Sequence, residues 1–152
     1  MKFPNGRWGR RQLIFHPAPT HPPYRPFAAM VFVWDEDRAL LCRIPGRGWC
    51  IPSGRVEGNE SGEEAARREA FEEGGVIIGD LRYLGCYQIH ERNAILWAEA
   101  FTAKVDSFVN IPDDSESSAR LLVERDDLPC CYHFWDPLAE AVFEYSRDVA
   151  AR

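Results

Sequence analysis

The chain contains no run of eighteen apolar residues, no C-x-x-C pair and no acidic residue before Asp35. The first absence excludes a membrane-spanning helix by length. The N-terminus also lacks the apolar segment of a secretory leader, so the expected address is the cytoplasm, with no membrane partner. The five cysteines, Cys42, Cys50, Cys86, Cys130 and Cys131, are odd in number and unsuitably spaced. They suggest reduced thiols, with neither a disulfide framework nor a zinc site. The four histidines, His16, His21, His90 and His133, show no metal-ligand spacing either. Because Lys2, Arg7, Arg10, Arg11 and Arg25 precede every acid, the remainder of the chain carries about −11 of a net charge of −6. An acidic body disfavours nucleic acid as the main partner. A small anionic substrate then needs a cation to mediate.

What is present fits one globular domain of 152 residues, 45% hydrophobic, large enough to bury about two thirds of its unfolded surface. Pro4, Pro17, Pro19, Pro22, Pro23 and Pro26 set the beginning apart, since proline breaks helices and is excluded from central strands. Residues 1–24 are therefore expected to be a basic, extended arm lying on the domain or frayed in solvent, with residues 1–22 dispensable for folding and residues 25–152 forming the domain itself. From Phe27 onward the pattern turns to strands. "FAAMVFVW" and "RALLCRI" flank the polar turn "DEDR" as a hairpin, and "GWCIP" is a third extended piece. "LRYLGCYQIH" and "AILWAEAFTAKV" flank "ERN", and "ARLLVE" is a further strand. The segment "WDPLAEAVFEYSRDVAA" repeats Leu138, Val142, Tyr145 and Val149 at helical spacing. Strands, helix, strands and helix in that order predict an α/β fold, a mixed sheet between helices in an α/β/α layering.

The stretch "SGRVEGNESGEEAARREAFEEGGVII", residues 53–78, is the most informative. Ser61 and Glu64 form a capping-box pattern and Gly74-Gly75 a flexible stop, predicting a helix over residues 62–73. With Glu69 at zero on a helical wheel, Glu73 falls at about 40°, Glu72 at about 300°, Ala66 at about 60° and Ala65 at about 320°. Three carboxylates thus share a face with two alanines, and small side chains there suggest room above the helix. Carboxylates beside the negative end of a helix dipole repel one another and are costly unless a cation joins them. An all-oxygen donor set suits magnesium or manganese.

Gly54, Glu60, Arg68-Glu69, Ala70, Glu72-Glu73, Gly75 and Val76 are spaced G-x5-E-x7-R-E-apolar-x-E-E-x-G-apolar. This resembles the Nudix box of the Nudix hydrolase superfamily at every defining position. At ordinary residue usage such a coincidence is expected about once in ten million chains of this length. The lead-in "GWCIPSGRVEGNES" is also similar, although Pro52 is followed by Ser53-Gly54 where most members have two glycines. The resemblance implies the Nudix fold and a divalent-metal-dependent pyrophosphohydrolase, acting on a nucleoside diphosphate linked to another group. The substrate would be a small-molecule nucleotide: a triphosphate, a modified nucleotide or an ADP-sugar type.

On these positions the resemblance makes Glu69, Glu72 and Glu73 catalytic metal ligands for Mg2+ or Mn2+, joined by the Gly54 carbonyl. Arg68 and Glu60 would brace the loop against the helix as an ion pair. Glu116, in "IPDDSESSARLLV", is either a catalytic group (the general base) or metal ligand, or a solvated loop acid. Arg43 and Arg47 are either phosphate-gripping groups or solvent-facing charges. Trp34, Trp49, Trp97 and Trp135 are either nucleobase-stacking or core residues. A nucleotide sensor without catalysis and an RNA-end pyrophosphohydrolase using the basic arm are the alternatives, and a homodimer is left open.

Overall fold

The strand Ala28–Asp35 organises the molecule because its sequence, AAMVFVWD, is apolar on both faces and must be covered on both. In the computed structural model, which describes residues 2–152, that cover is a pair of helices. The strands are β1 (Gly6–Trp8), β2 (Arg11–Pro17), β3 (Ala28–Asp35), β4 (Arg38–Ile44), β5 (Gly48–Cys50) and β6 (Ser53–Arg55), followed by β7 (Val76–Ile78), β8 (Arg82–Glu91), β9 (Ala94–Phe108) and β10 (Arg120–Glu124). The helices are α1 (Gly62–Gly74), the single turn α2 (Leu128–Cys131) and α3 (Pro137–Ala150). The sheet runs β1-β2-β8-β9-β3-β4-β10, with β5 on β4, β6 on β3 and β7 on β9. Among the strands of the described residues, β3 and β9 alone form a parallel ladder, which makes the sheet mixed as expected.

Side-chain alternation along β3 divides the interior into two layers. Met30, Phe32 and Trp34 join Leu41, Tyr87, Ile89, Leu138, Val142 and Phe143 beneath α3. Ala29, Val31 and Val33 join Leu40, Phe101 and Ala65, Ala66 and Ala70 of α1. Each large side chain buried here is worth roughly 1.5–3 kcal/mol. The one polar atom of Trp34 is satisfied, its Nε1 donating to Ser146 Oγ at 2.9 Å. On the α1 side the alanines are fully buried, so they do not leave room above the helix. They let it sit close to the sheet, because a small contact face permits a short approach.

Both helices are bounded by local signals. Ser61 accepts from the Glu64 amide, and the Glu64 carboxylate accepts from the Ser61 amide, closing the capping box. Gly75 adopts the left-handed conformation, φ 61°, as the expected stop, and α1 ends at Gly74, one residue past the expected last helical residue, Glu73. Asp136 caps α3 by accepting from the Ala139 amide at 2.8 Å, with Pro137 at the first helical position. Leu138, Val142 and Val149 are buried as their spacing implies, whereas Tyr145 is half-buried and meets Phe3 and Phe15 edge-on.

The N-terminal segment is extended and lies on the domain, but it is no loose appendage. Residues 6–17 form a hairpin whose second strand pairs with β8 from Gln12↔His90 to Pro17↔Gly85. Leu13 and Phe15 are buried in the α3-side core. The prolines did not prevent this because none falls between Pro4 and Pro17, which leaves the span free to donate its ladder bonds.

Candidate active site

The close approach of α1 presses its acidic face against β6. Glu69 and Glu73 are buried, 8% and 7% exposed, while Glu72 is half-buried. Glu73 accepts a hydrogen bond from the Ser53 amide at 3.0 Å. Gly54 lies so close to Glu69 that a Cβ there would overlap the carboxylate, which explains why a glycine is required in this cradle.

Arg68 gathers the rest. Its Nε donates to Glu60 Oε2 at 2.7 Å and its Nη2 to Glu60 Oε1 at 3.1 Å, a two-point pair. Its Nη1 donates to Glu69 Oε1 at 2.8 Å and to Glu72 Oε2 at 3.1 Å, and its Nη2 also reaches the Arg55 carbonyl at 3.0 Å. The guanidinium holds the Glu60 carboxyl below its ordinary range. A second arginine serves the helix end, where α1 carries no basic residue of its own. Arg120 of β10 donates to the Gly75 carbonyl at 2.6 Å and to the Val109 carbonyl, placing a cation where the dipole is negative. The sequence pattern held no sign of Arg120, since it arrives from a strand 45 residues away.

Burial raises the Glu69 carboxyl above its ordinary value, opposed by Arg68. Burial is also the largest influence on Glu73, pushed up to about 7; the Ser53 amide opposes the rise, and the charges of Glu69 and Glu116 add to it. Arg47 pulls in the opposite direction. Glu116, exposed on the loop before β10, and Arg47, exposed after β4, therefore both lie within electrostatic reach of Glu73. Arg43 is different. Its neighbour Cys42 feels both Glu73 and Glu69, so strand alternation turns Arg43 to the opposite face of β4. Beyond Arg47 stands a group that sequence reasoning did not connect with the site, Tyr132 and His133, joined to β5 by the Trp49–Tyr132 bridge and the His133 amide to Trp49 carbonyl bond at 2.9 Å. Burial and Arg47 both lower the His133 pKa. Burial pushes the Cys50 thiol up to about 11 and the Cys42 thiol higher still, so neither is a nucleophile at neutral pH. Of the tryptophans, Trp34 is core, while Trp49, Trp97 and Trp135 are half-buried.

Among the described residues no three carboxylate, imidazole or thiol side chains converge as a metal cluster. Arg68 takes the place between Glu69 and Glu72 that a cation would share. The donors nevertheless suit a hard divalent ion: they are all oxygen, Gly54 lets the Glu69 carboxylate lie against the β6 backbone, and among the described residues Glu73 has no cationic partner in hydrogen-bond contact.

Box, cradle and layered sheet together define a Nudix-type hydrolase fold. The NUDIX domain family model matches residues 24–144, and the chain belongs to that family. It is 32% identical over 83 residues to the Bacillus subtilis protein YtkD, provisionally named an 8-oxo-dGTP diphosphatase; the match covers 55% of this chain and 52% of YtkD. It is 43% identical over 69 residues to the Arabidopsis thaliana protein named Nudix hydrolase 19, chloroplastic, covering 42% of this chain and 16% of that protein. The chain thus spans about half, or less, of the length of these relatives. Among solved structures it resembles a point mutant of the Bacillus subtilis pyrophosphohydrolase BsRppH, with a TM-score of 0.70 at 24% identity, covering 79% of this chain and 77% of that one. At that identity the likeness concerns the fold. No helix among the described residues is long and apolar enough to cross a membrane.

Proposed function

We propose that the chain is a divalent-metal-dependent pyrophosphohydrolase that cleaves the phosphoanhydride chain of a small nucleotide, of the nucleoside triphosphate or nucleoside diphosphate-linked kind. The observation that carries this reading is the burial of Glu69 and Glu73 against the Ser53-Gly54 backbone, with every charged position of the box in place. Glu69, Glu73 and the Gly54 carbonyl, with Glu72 at the rim, would hold Mg2+ or Mn2+. When bound, such an ion neutralises pyrophosphate charge and acidifies a water. The remaining steps fall to this chain's own groups. Glu116, exposed and near Glu73, accepts the proton of the attacking water. Arg47, on the same side of the sheet, holds phosphate oxygens as substrate enters. Arg68 and Glu60 fix the loop and keep Glu69 and Glu72 oriented. A triphosphate substrate accords with the name of YtkD.

The test is turnover of a panel of nucleoside triphosphates, 8-oxo-dGTP, ADP-ribose, dinucleoside polyphosphates and 5′-triphosphorylated RNA. The expected result is release of phosphate or pyrophosphate from a small nucleotide, requiring Mg2+ or Mn2+ and lost with chelator. Tight binding without turnover would establish a sensor instead, and turnover of RNA alone would establish an RNA-end enzyme.

A further inference from the structure

Between the N-terminal hairpin and β3 the chain crosses the central strands β8 and β9 as a strap over residues 18–27. The Ala18 amide bonds the Leu84 carbonyl at 2.8 Å, and the Tyr83 hydroxyl bonds the Thr20 carbonyl at 2.7 Å. His21 stacks on Tyr83, ring centroids 4.5 Å apart. The Tyr24 hydroxyl bonds the Ile95 carbonyl at 2.7 Å, and the Phe27 amide bonds the Trp97 carbonyl at 3.0 Å. The strap is therefore held at successive points across β8 and β9. From its end Arg25 reaches the loop that precedes α1, with Nη2 2.6 Å from the Gly58 carbonyl and 3.2 Å from the Glu60 carbonyl.

That loop is the far end of the carboxylate network. The Glu60 amide bonds the Glu57 carbonyl at 2.8 Å, the Glu60 carboxylate takes the Glu57 amide at 3.0 Å, and the same carboxylate holds Arg68 at two points. Arg68 in turn holds Glu69 and Glu72. Resting on the function proposed above, we infer that Arg25 is a positioning residue for the metal-binding carboxylates, acting through the Gly58–Glu60 loop and Arg68. The physical reason is competition. One edge of the Arg68 guanidinium faces Glu60, and its Nη1 faces Glu69 and Glu72. A firmly held Glu60 anchors the guanidinium to the loop, so an incoming cation has only the Nη1 contacts to displace. A loosened Glu60 leaves Arg68 to settle on Glu69 and Glu72 as a rival counter-ion. Arg25 bonds two loop carbonyls and thereby limits the loop's freedom.

The experiment is Mn2+ binding to the full-length, metal-free protein, followed by the electron paramagnetic resonance of the free ion at physiological salt. Supporting partners of metal ligands typically change affinity about 10- to 100-fold, and Arg25 lies one contact further out, so Arg25→Ala is expected to weaken Mn2+ binding about three- to tenfold. Arg25→Lys should fall between, because an ammonium can donate to both carbonyls as the single Nη2 does, but its nitrogen sits one bond nearer the backbone. Tyr24→Phe, which removes the neighbouring strap anchor and leaves the guanidinium, should bind Mn2+ as the wild type does. In turnover, Arg25→Ala should need more Mg2+ for half-maximal rate while keeping its nucleotide KM at saturating metal. Wild-type affinity in Arg25→Ala, tighter binding in that variant, or equal weakening in Tyr24→Phe overturns the role of Arg25 and leaves the proposed function standing. A wild-type protein that binds no Mn2+ at millimolar concentration overturns both.

Discussion

Replacing Glu73 by glutamine separates the electrostatic cost of the site from its use. Glu73 is buried, shares its surroundings with Glu69 and Glu116, and has its carboxyl raised from an ordinary 4.5 to about 7. The gap between those values corresponds to about 3 kcal/mol of preference for the neutral form in the folded state. Some of that relaxes at a buried site, so about 1–3 kcal/mol is the working figure. The folded value lies above the unfolded one, so the penalty is absent below about pH 4.5, grows through the window up to about 7 and is complete above it. Glutamine keeps an oxygen for the Ser53 amide and carries no charge.

With chelator at pH 8, Glu73→Gln should therefore melt about 2–12 °C above wild type, given the usual 2–4 °C per kcal/mol for a domain of this size. At pH 5 the difference should shrink to a small part of that, because Glu73 is then largely protonated. Excess Mg2+ should raise the melting temperature of wild type more than that of the variant, since an ion bound only by the folded state stabilises by mass action. Turnover should fall on the order of a hundredfold as a ligand is lost. Paired thermal melts at the two pH values, with chelator and with Mg2+, decide the matter. A variant that melts lower than wild type at pH 8 without metal and retains its rate would show that Glu73 is a structural acid and refute the reasoning.

Three further outcomes follow from the same geometry. Gly54→Ala should cut turnover about tenfold or more, because the added methyl displaces the Glu69 carboxylate held by Arg68, and reactive geometry is sensitive to shifts of about 1 Å. Steady-state kinetics should show Arg47→Ala raising the nucleotide KM several-fold and Arg43→Ala leaving it near wild type, since only Arg47 lies on the glutamate side of the sheet; equal effects would refute that assignment. Deleting residues 2–17 should cost more than about 4 kcal/mol in denaturant melts, because Leu13 and Phe15 leave the core and the β8 edge loses its partner; an unchanged midpoint would restore the picture of a free arm.

Local features were the legible ones. The limits of α1 are set by Ser61, Glu64 and Gly75, within a few residues of the bonds they make. The apolar runs of β3, β4, β8 and β9 are long enough to declare themselves. The helical wheel placed Glu69, Glu72 and Glu73 on one face, but it could not distinguish the two that β6 covers from the one it leaves at the rim. That difference depends on a three-residue strand too short for any periodicity to register. The hairpin of residues 6–17 was hidden by prolines that lie at and beyond its ends. Arg120 and Arg25 were invisible as partners of the site because their contacts depend on the tertiary fold, across 45 residues to Gly75 and 35 residues to Glu60. Arg43 and Arg47 read alike as charges beside a strand, and only the facing of β4 separates them.

The strand pairing has a consequence for how the chain reaches this state. Leu13 pairs with Ile89, Ala28 with Ala98 and Cys42 with Arg120, each partner about seventy to eighty residues further along. The first half of the sheet cannot close on itself; it waits for the second. Non-local pairing of this kind slows folding, because loop-closure entropy is lost before the contacts repay it. On the ribosome the box helix is made midway, while the Arg120 that serves its end is still to come. Until residues 82–124 have emerged, the nascent chain exposes the unpaired edges and apolar faces of β2 and β3, and that interval is when aggregation or chaperone capture competes with folding.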